Sequence, residues 1–186
     1  MSSAALPVAL LVAPGFAETQ FTDAQKALLG GGGKVRVVTT EGSLVQGWHE
    51  EAWGHHFMAD AVLADVLASD YAGLIVPGGV RSIDALLESP HARRVVKAFV
   101  DTGKPVLMIG EALALLVRAE VAATRRVAAP AGLADVVAQA GGTVEGEVLT
   151  RDDNLLTVGG NDGAREAIGA FIDTLRGEDT ATREAA

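Results

Sequence analysis

The 186-residue sequence contains no cysteine, and that single absence excludes a group of mechanisms. Without a thiol the chain has no disulfide, no zinc–thiolate site, no iron–sulfur cluster and no thiolate nucleophile. Aromatic residues are also scarce, at 4% of the chain, and its two tryptophans, Trp48 and Trp53, lie within one short segment. The candidate chemistry therefore has to come from carboxylates, amides, histidines or hydroxyls.

The sequence also lacks any run of basic residues. Lys and Arg number 15 against 24 Asp and Glu, which gives a net charge of −9 and disfavours nucleic acid or an anionic membrane surface as a partner. The apolar run over residues 6–13 is too short to span a bilayer, and no Lys or Arg precedes it as in a signal peptide. We therefore expect a cytoplasmic protein that binds neither nucleic acid nor membrane.

What the sequence does contain is an alternation of short apolar runs with helical patterns. The runs over residues 8–13, 35–40, 74–76 and 106–109 are almost continuously apolar, which predicts buried parallel strands. Helical segments between them predict an α/β fold with a mostly parallel central sheet covered on both faces. We expect one domain over residues 1–177, with a last helix over 162–175 and a frayed polar tail over 178–186.

Residues 104–116 predict a strand, an abrupt turn and a helix. Val106 to Ile109 form the buried strand, Gly110 permits the sharp turn, and the residues from Ala112 onward favour helix. This is the geometry of a nucleophile elbow, which lifts one side chain above a sheet. Here the tip is glycine, which has no reactive group. Because sites in parallel sheets lie beyond the carboxyl ends of the strands, the other strand-end turns should converge near Gly110.

An ordered set of motifs resembles the PfpI branch of the ThiJ/PfpI superfamily. Residues 46–60 resemble its Q-G-W-x4-W-G-x2-F-x2-D segment, residues 71–79 its tyrosine, apolar strand and P-G-G, and residues 103–106 the stretch before its elbow. The resemblance covers residues 6–176. It implies a flavodoxin-like three-layer sandwich, related to the class I glutamine amidotransferase fold, a homodimer or higher homo-oligomer, and a stress-related role. It also implies that glyoxalase, deglycase-type or peptidase-like activity would need a cysteine at the elbow.

The sequence departs from that family pattern at each catalytic position. By alignment, Gly110 stands at the cysteine position, Glu111 at that of the neighbouring histidine, and Gln20 at that of the supporting glutamate. Glycine excludes covalent catalysis by this route. A neutral amide is acceptable at Gln20 once there is no thiolate to support. The sequence thus indicates a divergent or non-catalytic member that acts by small-molecule binding or by assembly.

Glu111 is the strongest remaining candidate for a catalytic or ligand-binding residue. It can complement the N-terminus of the following helix, or it can serve as a general acid/base or a polar anchor for a ligand. If the nearby carboxylate of Glu18 faced Glu111, the proximity of the two charges would raise one pKa. The predicted pocket around Gly110 and Glu111 comprises Glu18, Gln20, Gly78, Gly79 and Ala112.

Two further groups of residues indicate alternative roles, one at a subunit interface and one in metal binding. The aromatic side chains of Trp48, Trp53 and Phe57 lie in a segment whose first part, residues 41–53, lacks regular periodicity. A core role is one interpretation, and a subunit interface is the one that we expect. A second group has the composition of zinc ligands but no familiar ligand spacing, so we predict no metal and no cofactor and keep a metal-dependent hydrolase as an alternative. That group is His49, Glu50, Glu51, His55 and His56.

Overall fold

The computed structural model describes the backbone of residues 5–184 and the side chains of residues 5–177. The strands are β1 (Val8–Leu11), β2 (Phe16–Ala17), β3 (Val35–Thr39), β4 (Leu44–His49), β5 (Ala52–Met58), β6 (Ala61–Val62), β7 (Gly73–Val76), β8 (Val106–Ile109), β9 (Arg126–Ala128), β10 (Thr143–Glu145), β11 (Leu149–Asp152) and β12 (Leu155–Val158). The helices are α1 (Glu18–Gly30), α2 (Val80–Leu87), α3 (Pro90–Asp101), α4 (Ala114–Arg118), α5 (Ala134–Gln139) and α6 (Ala164–Glu184).

A seven-stranded sheet forms the centre of the fold. Its strand order is β11-β12-β8-β7-β1-β3-β6, and only the edge pair β11–β12 is antiparallel. Alternate residues of β1 enter opposite cores: Ala9 and Leu11 join the cluster that contains α3 and α4, while Val8 and Leu10 join the one that contains α1 and α6. The predicted α/β fold with a mostly parallel sheet between helical layers is confirmed.

The predicted elbow forms as expected, because each local preference agrees with the next. Strand β8 is fully buried, Gly110 has a φ of +59°, and a 3-10 turn over Gly110–Leu113 leads into α4. A positive φ is accessible to glycine at little cost and to other residues only with strain. Gly110 therefore ends β8 at the carboxyl edge of the sheet, as the nucleophile position of an elbow does.

The prediction that residues 41–53 form an irregular segment is wrong. Strands β4 and β5 form an antiparallel hairpin, and β2 pairs with β4 to complete a three-stranded sheet. The pairing shifts between Gln46 and Trp48, so Gly54 and His55 together oppose Gly47 as in a β-bulge. The bulge and the glycines break the alternation of apolar and polar residues that indicates a strand. For this reason the sequence did not predict the hairpin.

The last helix is longer than the sequence predicted. Helix α6 runs from Ala164 to Glu184 rather than ending near residue 175. An isolated glycine such as Gly177 disfavours helix by only about 1 kcal/mol, and the Glu, Ala and Arg residues that follow are good helix formers. The division into a domain over 1–177 and a frayed tail over 178–186 stays a prediction, and residues 185–186 of that tail lie outside the described residues.

Candidate functional site

The elbow has room for a Cβ atom at the position where a nucleophilic side chain would stand. Apart from the adjoining residues 109 and 111, the nearest atom to a Cβ built on Gly110 would be Gly160 Cα, at 3.8 Å, an ordinary packing contact. Gly160 follows β12, the strand that pairs with β8, so the elbow and the end of β12 meet at the same edge of the sheet. Gly110 thus removes the nucleophile without filling its place.

The side chains of Glu111 and Gln20 bind the backbone of the Pro-Gly-Gly turn (residues 77–79). The Gly79 N–H donates to Glu111 Oε2 over 3.1 Å, and the Gly78 N–H donates to Gln20 Oε1 over 2.7 Å. A Cβ on Gly78 would lie 2.7 Å from Glu111 Oε2 and 3.0 Å from the Ile109 carbonyl oxygen, so glycine is needed for this approach. Both backbone donors of the turn are therefore taken by the protein's own side chains.

Asn161 is a member of this group that the sequence analysis did not single out. Gln20 Nε2 donates to Asn161 Oδ1 over 2.6 Å, which joins α1 to the loop before α6. Gln20 itself is only 6% exposed. A signal for Asn161 was available, because it lies just beyond the carboxyl end of a predicted strand, where sites in parallel sheets form. Ala112 is fully buried beneath the elbow and presents no polar atom.

Glu18 does not face Glu111, contrary to the expectation of a carboxylate pair. Its Oε2 accepts the His55 N–H over 2.8 Å, and its Oε1 contacts His55 Nδ1 at 2.5 Å. Burial raises the pKa of Glu18, but the hydrogen bonds and the charge of His55 outweigh burial and hold the pKa below its ordinary value. Two residues apart on α1, Glu18 and Gln20 point to different sides of the helix, so only Gln20 reaches the elbow.

A cleft of about 550 Å³ opens between α1 and the start of α6. Its inner wall includes Gln20 and Asn161, so it adjoins the elbow group through their hydrogen bond. Arg165 is the one basic residue in its lining, and Arg165 Nε lies 2.9 Å from Asp23 Oδ2. The lining residues are Thr19, Gln20, Asp23, Asn161, Asp162, Gly163, Ala164, Arg165 and Glu166.

The three aromatic residues predicted at an interface have different surroundings. Phe57 packs against Phe16 and Phe21, with ring centroids 5.6 and 4.7 Å away, and so contributes to the core. Trp48 and Trp53 meet edge to face at 5.3 Å, and Trp53 is 49% exposed. The Arg81 guanidinium lies 4.5 Å from the Trp48 ring centroid and 5.7 Å from that of Trp53. Arg81 was not anticipated from the sequence.

The histidines of the hairpin do not assemble a metal site. Within residues 5–177, whose side chains the structure describes, no group of three or more His, Asp or Glu side chains is placed to hold a metal ion. His55 is engaged by Glu18, and His49 lies 4.0 Å from Glu50. The alternative of a metal-dependent hydrolase built on this cluster therefore has no geometric support.

Comparison of the whole sequence with known proteins shows the family to which the chain belongs. The chain matches the DJ-1/PfpI family model over residues 7–174 and belongs to this family. General stress protein 18 of Bacillus subtilis is 29% identical over 152 residues, which are 81% of this chain and 86% of that protein. DJ-1 protein homolog F of Arabidopsis thaliana is 38% identical over 108 residues, 58% of this chain and 27% of that protein.

Solved structures show the same fold. DJ-1beta of Drosophila melanogaster superposes with a TM-score of 0.83 at 23% identity, over 97% of this chain and 95% of that one. A cysteine-to-alanine mutant of a DJ-1 superfamily protein from Salmonella typhimurium gives 0.82 at 24% identity, over 97% and 96%. The Arabidopsis relatives are longer, since the matches span only 27% and 34% of homologs F and D. Among the described residues, no helix has the length and apolarity to cross a membrane.

Proposed function

We propose that this chain is a DJ-1/PfpI protein that acts by binding a small molecule at the retained elbow pocket and by assembly, without catalysis. The observation that carries the proposal is the state of the Pro-Gly-Gly turn. The N–H groups of Gly78 and Gly79 are bonded to Gln20 and Glu111, so neither donor is free to stabilise an oxyanion. The nucleophile position beside them is glycine.

Electrophilic stabilisation and a nucleophile are both needed for acyl-transfer or thiol-type carbonyl chemistry. The elbow lacks the nucleophile, and its two turn donors are occupied. The fold and the room for a Cβ atom at Gly110 are nevertheless retained, which supports a binding role better than a purely structural one. One Bacillus relative is named a general stress protein, and on that likeness the proposal includes a stress-related role. A cytoplasmic location is part of the same proposal.

The test is a turnover assay on metal-free protein with methylglyoxal as the probe dicarbonyl. We expect consumption of methylglyoxal no faster than in buffer, for the wild-type chain and for Glu111→Gln alike. Enzyme-like turnover by the wild-type chain overturns the proposal, whichever residue is responsible.

A second function is favoured by one feature of Glu111. Its carboxylate is partly exposed at the elbow and receives one hydrogen bond, from Gly79 to Oε2, among the described residues. That arrangement leaves Oε1 available as a general base toward a carbonyl compound. In this case the wild-type chain consumes the probe and Glu111→Gln loses that activity. Activity that survives the substitution eliminates Glu111 as the base.

A further inference from the structure

Arg81 and the chain's two tryptophans form a surface cluster between α2 and the β4–β5 hairpin. We propose that this cluster of Arg81, Trp48 and Trp53 binds small aromatic monocarboxylates. The guanidinium holds the carboxylate, and the exposed ring of Trp53 holds the aromatic group. The inference goes beyond the proposed function, because none of the three residues belongs to the elbow pocket. It is carried by the way Arg81 is held and by the anionic partner that it lacks.

The first step is that the Arg81 side chain is held at both ends. Its stem runs along Gly15, where a built Cβ would lie 2.6 Å from Arg81 Cβ and 3.0 Å from its Cδ. The guanidinium lies 4.5 Å from the Trp48 ring centroid and 5.7 Å from that of Trp53. The side chain is thus fixed between the turn after β1 and the hairpin, so a ligand meets a guanidinium that has already lost conformational entropy.

The second step is that Arg81 has no anionic partner. The chain contains 24 Asp and Glu, yet among the described side chains none forms an ion pair with Arg81. This includes Asp84, which lies three residues further along α2. A cation–π contact leaves the five N–H donors of a guanidinium without acceptors. Their rigid fork matches the two oxygens of a carboxylate, so the cluster presents a fixed and unpaired carboxylate receptor.

The third step is the aromatic surface beside that receptor. Trp53 meets Trp48 edge to face at 5.3 Å, and 49% of Trp53 stays exposed. Aromatic rings attract each other beyond the burial of their area, so the exposed part of Trp53 favours an aromatic ligand over an aliphatic one. The guanidinium lies within 6 Å of this ring, and a carboxylate attached to a single aromatic ring through one carbon can reach both groups.

The fourth step is the number of charges on the ligand. The net charge of the chain is −9, and the hairpin turn between the two tryptophans carries Glu50 and Glu51. These charges repel an anion, although at physiological ionic strength their effect is largely screened beyond about 8 Å. A ligand with several negative charges is repelled more strongly than one with a single carboxylate. The class that fits is therefore a monocarboxylate.

The experiment titrates the full chain with phenylacetate, phenylacetamide and cyclohexylacetate at neutral pH and physiological ionic strength. Phenylacetamide replaces the carboxylate by a neutral group of the same shape, and cyclohexylacetate removes the aromatic ring. Binding is followed by the indole N–H signals in NMR spectra, and both of them report on the cluster because the chain has only two tryptophans. We expect phenylacetate to bind about tenfold more tightly than phenylacetamide and about threefold more tightly than cyclohexylacetate.

Two variants test the two halves of the cluster separately. Arg81→Lys keeps the positive charge but removes the planar fork, and it should weaken phenylacetate by about tenfold. Arg151→Lys is the matched control, since Arg151 is also exposed and without an ion pair among the described residues, but lies on the edge strand β11. Trp53→Leu should weaken phenylacetate by about threefold and leave cyclohexylacetate unchanged. Unfolding midpoints verify that each variant is folded.

The inference is overturned if phenylacetate leaves the indole signals unchanged, or if either other probe binds as tightly as phenylacetate. Equal effects of Arg81→Lys and Arg151→Lys overturn it too. So does an affinity that falls when the protein concentration is raised about tenfold, because a second copy then covers the cluster. A subunit contact at the open end of the hairpin, where Leu44 pairs with Met58, leaves the cluster accessible. The proposed function at the elbow is judged separately, by the methylglyoxal assay.

Discussion

At the scale of single residues, Glu18 shows how a carboxylate near a pocket can serve another part of the fold. It is 7% exposed, and its two oxygens engage the backbone and the ring of His55 in the bulge of the β4–β5 hairpin. Gly47 and Gly54 make room for it, since a Cβ on either would crowd Glu18 Oε2. The two glycines of the Q-G-W-x4-W-G segment are thus explained by one buried acid.

We expect Gly54→Ala to destabilise the protein by about 1–3 kcal/mol, the cost of leaving a buried donor or acceptor unpaired. The new methyl group would overlap Glu18 Oε2 and break its bond to the His55 N–H. Urea unfolding measures the effect. Gly132→Ala is the control, because a Cβ there meets nothing within 4 Å and its φ is not positive, and it should change stability by less than about 0.5 kcal/mol. Equal effects of the two substitutions contradict this account of Gly54.

The lowered pKa of Glu18 predicts how the stability of the protein depends on pH. Because its pKa is lowered in the folded state, ionised Glu18 stabilises the fold above its ordinary pKa of 4.5, and this contribution is lost as the pH falls through the folded value. We expect the stability of the wild-type chain to decline with acid more steeply than that of Glu18→Gln. Urea midpoints measured from neutral pH down to well below pH 4.5 give both slopes. Parallel slopes would show that Glu18 does not contribute.

At the scale of elements, the sequence predicted what depends on local pattern and missed what depends on distant partners. The strands around residues 8–13, 74–76 and 106–109 were predicted because buried parallel strands are short, apolar runs. Gln20 and the Pro-Gly-Gly turn were placed together by resemblance and by the convergence of strand ends. The hairpin was missed because Glu18, far along the chain from Gly54, holds its bulge. No local signal specifies that contact.

The attachment of α2 to the sheet gives a prediction at this scale. Ser82 is fully buried in α2, and its Oγ accepts the Ala13 N–H over 2.9 Å at the end of β1. Ser82→Ala would leave that N–H without its partner, and we expect a loss of about 1–3 kcal/mol in the free energy of unfolding. The serine thus has a structural role, in keeping with its position outside a G-x-S-x-G motif. A change below about 0.5 kcal/mol in urea unfolding would contradict the assignment.

At the scale of the whole molecule, the largest exposed apolar side chains of the small sheet suggest where subunits meet. Leu44 and Met58 are cross-strand partners with 57% and 74% of their surface exposed, and Trp53 is exposed further along β5. Strand β5 is also the outer edge of the three-stranded sheet, with a backbone edge that another chain can cover. Trp is favoured at interfaces, whereas the half-buried Phe57 packs against the core.

We therefore expect the protein to sediment as a homodimer or larger ring at micromolar concentration, through contacts of residues 46–60. Met58→Asp should shift the distribution toward monomer, because a charge at a desolvated contact is costly when unpaired. Leu67→Asp is the control, since Leu67 is similarly exposed, at 56%, but lies outside the hairpin. A wild-type monomer refutes the assembly, and equal dissociation by both variants places the contact elsewhere. Dissociation by Met58→Asp alone would show that the β4–β5 hairpin, whose bulge is bonded to Glu18, forms the contact between subunits.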